Sequence, residues 1–145
     1  MEWLNRLFGK TVGLDTAPLI YYVELHPKYL PFVDPFFDAV ERGDLQVVTS
    51  TLTLTEVLVH LYKRGDTALV KHYSQMLLNT RNLETLPVST EIADEAARLR
   101  AAFGLKTPDS IQVAPRGLGA RQAFSQMTIE FPEFRGSNWF ILKAF

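Results

Sequence analysis

The chain reads as an α/β domain, with a mostly parallel central sheet between layers of helices. Three observations predict this class. Short apolar or β-branched segments recur at Thr11–Leu14, Leu45–Thr49 and Leu83–Val88. Longer stretches with apolar residues at helical spacing lie between and after them. The 145 residues are 47% hydrophobic and 21% charged, which suits one compact domain with a substantial core.

Each element follows from local chemistry. Thr11 to Leu14 is a short buried strand ending at Asp15. Ala17-Pro18-Leu19-Ile20-Tyr21-Tyr22 opens a helix, with Thr16 expected as its cap and proline tolerated in the first turn. Tyr29 to Glu41 places Phe32, Phe36, Phe37 and Val40 at helical spacing and stops at Arg42-Gly43-Asp44. Leu45 to Thr49 is a second strand. Ser50 or Thr51 begins a helix to Tyr62 that carries Glu56. Asp66 to Asn79 is a further helix, with Leu69, Tyr73, Met76 and Leu77 on one face. Leu83 to Val88 is a third strand. Ser89 or Thr90 caps an Ala-rich helix, Glu91 to Phe103, which Gly104 ends. Pro108 starts another helix, and Trp139 to Leu142 reads as a last strand. The expected organisation is a single domain over 1–145, with 1–10 as an N-terminal extension.

Bulk properties exclude several classes. The formal net charge is -1, so the whole domain is not a basic nucleic-acid binder, and any such contact comes from a local patch. Basic side chains such as Lys63, Arg64, Lys71, Arg98 and Arg100 are scattered rather than clustered. Cysteine is absent, which removes disulfides and thiolate metal sites and fits a cytoplasmic location. No apolar run reaches the roughly 18 residues of a membrane span. The first ten residues lack a secretory pattern, because their apolar stretch is short and carries charges.

Three acids stand in settings that a carboxylate does not favour. Asp15 ends Val12-Gly13-Leu14, Glu56 lies within Thr53-Leu54-Thr55-Glu56-Val57-Leu58, and Asp109 follows Thr107-Pro108. Each alone is also compatible with a helix cap, a helix-start acid or a solvated face. Brought together at the carboxyl ends of the strands, where parallel sheets hold ligands, the three would repel. A hard divalent cation is the simplest compensator.

These segments resemble the motifs of the PIN domain, and most closely those of VapC-type toxins of bacterial toxin–antitoxin pairs. Leu14-Asp15-Thr16 with Leu19-Ile20-Tyr21 is similar to the opening motif. Ser50 to Val57 resembles the second, and Leu99-Arg100-Ala101 with Gly104 to Ile111 the third. The resemblance runs from about Val12 to Phe145. It implies a three-layer α/β/α fold, Mg²⁺ or Mn²⁺ held by Asp15, Glu56 and Asp109, and endonucleolytic cleavage of RNA. It further implies a protein antitoxin as partner and a homodimer. Thr16 would support the site through its hydroxyl.

The sequence departs from the motif further on. Gly119-Ala120 and Ala123-Phe124 fit the approach to a fourth acid, but Thr128 occupies its place, with Glu130 two residues later as a substitute. Pro115 interrupts the helix expected there. An alternative reading is therefore a PIN-like RNA-binding or regulatory module of weakened or lost catalysis. A phosphatase that begins with a strand-end Asp needs a second Asp at position 17, where Ala17 stands.

Overall fold

The structure, a computed structural model, is described for residues 1–104 and for Ile111. The helix expected from Pro108 and the strand expected at Trp139–Leu142 lie outside these residues. Among the described residues the order is α1 (Glu2–Asn5), β1 (Thr11–Gly13), α2 (Thr16–Val23), α3 (Leu30–Arg42), β2 (Gln46–Ser50), α4 (Thr51–Arg64), α5 (Thr67–Asn79), β3 (Leu83–Leu86) and α6 (Thr90–Phe103).

The three strands form one parallel sheet in the order β1-β2-β3. Val12 stands opposite Val47, and Val47 opposite Leu83. Both crossovers step the same way across the sheet. Helix α2 packs on α3 and α4, α4 packs on α5, and α5 packs on β3. This is the helix-covered parallel sheet that the alternating pattern predicts.

The core draws Val12, Leu14 and Val47 from around the strands, Phe36 and Val40 from α3, Val57 and Leu61 from α4, and Tyr73 and Leu77 from α5. Helix α3 shows which forces decide. Pro35 lies inside it and denies the Pro31 carbonyl an amide partner, a cost of about 3 kcal/mol. Val33, Phe36, Phe37 and Val40 are buried, each worth up to about 1.5–3 kcal/mol. Burial wins, and the helix continues to Gly43, whose φ of 85° closes it in the left-handed region that glycine tolerates.

Two details differ from the sequence reading. The cap of α2 is Asp15 rather than Thr16: the Asp15 Oδ1 accepts the Thr16 N–H at 2.7 Å. A carboxylate at the strand end reaches that first amide, which leaves the Thr16 hydroxyl for another partner. The first ten residues, which carried no expected element, contain α1 and send Leu4 and Leu7 into the core.

Burial holds the Tyr73 phenol protonated well into the alkaline range, pushing its pKa up from 10.0 to about 12. The Glu24 charge adds to the rise and Arg64 opposes it; those two form an ion pair at 3.3 Å. Between pH 10 and 12 the folded chain therefore keeps a proton that the unfolded chain releases. Its contribution to stability is complete below pH 10 and is lost as pH climbs through 12. Tyr73→Phe should flatten this alkaline loss by about 2 kcal/mol, read from urea unfolding at pH 8, 10 and 11.5. Tyr21 and Tyr22 are raised in the same direction, mainly by burial, so some alkaline loss should persist.

Candidate active site

All three strands point their carboxyl ends at one edge, where Asp15, the Ser50–Thr51 junction and Val88 follow them. The edge is laced by side chains. The Thr51 hydroxyl accepts the Val88 N–H at 3.3 Å, tying the chain after β3 to the start of α4. The Thr49 hydroxyl lies 3.0 Å from the Leu14 carbonyl and 2.8 Å from the Thr53 hydroxyl. A carbonyl can only accept, so the Thr49 proton goes to Leu14 and Thr53 donates to Thr49.

Thr16 is the point where the two described acids meet. Its backbone N–H donates to Asp15 and its hydroxyl donates to the Glu56 carboxylate. Residues far apart in sequence are thus held by one side chain and its own amide. Asp15 and Glu56 are half-buried, while Thr16 is buried. Their electrostatic supports differ. Asp15 caps α2 and sits at its positive end, where an anion gains roughly 0.3–1 kcal/mol. Glu56 occupies the second turn of α4, beyond the first-turn reach of that dipole, so its position near a helix start contributes little. The Thr16 hydroxyl is its observed support.

Of the residues singled out from sequence, the structure brings Asp15, Thr16 and Glu56 together. Asp109, Thr128 and Glu130 lie outside the described residues. Among the described residues no three His, Asp or Glu side chains group around a point that could hold a metal ion; the described share of the expected set is two carboxylates. Their chemistry suits a hard cation, since both offer oxygen and both stand at the rim of the core.

Sequence reasoning missed the buried hydroxyls beneath the site: Thr49, Ser50 and Thr53 are each at most 1% exposed. The signal was a run of hydroxyl residues bracketing the end of β2, which read as strand propensity and helix capping. The basic side chains are partly spent elsewhere, Arg64 on Glu24 and Arg98 on Asp94. No described helix is long and apolar enough to cross a membrane.

Comparison with known proteins bears on the same segments. The family model of the PIN domain matches residues 12–114. A solved structure, a toxin–antitoxin complex from Klebsiella pneumoniae, aligns with a TM-score of 0.49 and 24% identity, covering 86% of this chain and 90% of that chain. No curated protein matches the chain. The family match begins in β1, takes in Asp15, Glu56 and Asp109, and stops one residue short of Pro115, where the sequence begins to depart from the motif. The chain belongs to the PIN domain family.

Proposed function

We propose that this chain is a metal-dependent endoribonuclease of the VapC kind, the toxin of a toxin–antitoxin pair. PIN domains are in general nucleases that use divalent metals. The observation that carries the reading is the convergence of Asp15 and Glu56 on Thr16 at the carboxyl edge of the sheet. Two carboxylates drawn to one residue at that edge favour a positive charge between them. Asp109, from the third motif, is the third acid of the proposed set.

In this reading Asp15, Glu56 and Asp109 hold Mg²⁺ or Mn²⁺, directly or through water. A bound divalent cation supplies Lewis-acid polarisation of the phosphodiester and a more acidic attacking water. The chain's own residues do the rest. Thr16 holds both carboxylates through its amide and its hydroxyl, the kind of support that orients metal ligands. Three acids suffice for one ion that keeps several waters. The stretch around Thr128 bears on a second ion, with Glu130 as the candidate substitute. The antitoxin partner, the homodimer and the cytoplasmic location rest on the likeness of the three motifs to VapC-type toxins.

The test is cleavage of RNA by the purified protein in Mn²⁺ or Mg²⁺, with and without excess EDTA. Cleavage that needs the cation and stops with EDTA is expected. RNA left intact in every cation would overturn the enzyme reading. RNA binding without cleavage would favour the module of lost catalysis.

A further inference from the structure

We infer that Thr49 is a positioning residue, which sets the spacing of Asp15 and Glu56 from the interior. The inference rests on the metal-dependent reading above and names a part of the site that touches neither substrate nor ion. Thr49 is the last inward-facing residue of β2 on the side of Val47, and it is 1% exposed. Its hydroxyl bonds two segments at once. One is the Leu14 carbonyl, the group immediately before Asp15; the other is the hydroxyl of Thr53, one turn ahead of Glu56 on α4.

The geometry has a specific consequence. Leu14 lies just past β1, which ends at Gly13, and its N–H bonds back to β2, at the Val48 carbonyl, at 3.0 Å. The strand pairing that fixes β1 against β2 therefore stops before Asp15. The Thr49 hydroxyl adds a side-chain bond to the Leu14 carbonyl, on the peptide group that leads into Asp15. On its other side it fixes the rotation of the first turn of α4, and residues three apart share a helix face. Packing alone does not do this, because apolar contacts are non-directional. A hydrogen bond is directional, and its geometry weakens steeply away from alignment.

A valine at position 49 keeps the shape and removes the hydroxyl, and serine keeps the hydroxyl and removes the methyl. Isothermal titration with Mn²⁺ on the full chain should show Thr49→Val binding about tenfold more weakly than wild type, as for other groups that orient metal ligands. Thr49→Ser should bind within about twofold of wild type. A purely structural role would not restore metal affinity through the hydroxyl alone. The inference fails if folded Thr49→Val binds Mn²⁺ like wild type, or if Thr49→Ser is as weak as Thr49→Val. If Thr49→Val does not fold, Thr53→Val removes the bond to α4 while leaving the bond to Leu14, and with Thr53→Ser as its control it is read by the same outcomes. Wild type that takes up no Mn²⁺ would instead sink the metal reading itself, a result distinct from a wild type that binds and a Thr49→Val that binds equally.

Discussion

Asp15→Asn is expected to abolish cation-dependent RNA cleavage while leaving the fold in place. The substitution isolates charge from architecture. Asp15 caps α2 by accepting the Thr16 N–H at 2.7 Å, and Asn accepts that bond about as well as Asp. The change in unfolding free energy should therefore stay under about 1 kcal/mol: losing the attraction to the helix end costs a few tenths, and removing one of two adjacent negative charges returns a similar amount. Cleavage should respond very differently. Lewis-acid stabilisation is worth several kcal/mol, so under the proposed function, where Asp15 is a metal ligand, its loss should lower kcat/KM on the order of a hundredfold or more. Asp15→Ala separates the two roles, since it also removes the cap, at about 1 kcal/mol of stability. The paired measurements are Mn²⁺-dependent cleavage and urea unfolding. Asp15→Asn that is well folded and fully active would remove Asp15 from the site.

Leu7→Ala should destabilise the fold by about 2–5 kcal/mol, the usual cost of deleting a buried leucine side chain. That is a large share of a stability of about 5–15 kcal/mol. Leu7 is 0% exposed and belongs to the main core cluster, though it lies before the first strand. Its neighbour Phe8 is 41% exposed, and Phe8→Ala should cost no more than about 0.5 kcal/mol. The contrast, read from urea unfolding of both variants, tests whether the start of the chain is part of the core. Equal, small effects would show that it is not.

These two cases mark what the sequence made legible. The strands and long helices could be read because period and punctuation agree: Phe36, Phe37 and Val40 recur at helical spacing, and Gly43 closes the helix in the backbone region that glycine tolerates. Asp15 and Glu56 were visible because charge is conspicuous beside apolar residues. The first ten residues were harder. Trp3, Leu4, Leu7 and Phe8 have helical spacing, but α1 spans only Glu2–Asn5, and four residues are too few for an isolated helix to be stable. Tertiary packing sustains it, and a single sequence does not display packing. The Thr49–Thr53 contact was hidden for another reason. A threonine near a strand end looks the same whether its hydroxyl faces water or a carbonyl, and only the fold decides. The α2 cap turned on a similar choice between two adjacent oxygen-bearing side chains, Asp15 and Thr16.

The parallel order β1-β2-β3 governs how the chain must assemble. Among the described residues Val12 pairs with Val47 and Val47 with Leu83, so each pairing waits for a strand made later. Among the described residues each pairing encloses two helices, so each of these strand contacts must first close a long loop. During synthesis the segment of Asp15 therefore meets Glu56 only after β2 and the first turns of α4 have emerged. The edge that carries Asp15 and Glu56 is thus built from segments that meet only after the intervening helices have been made.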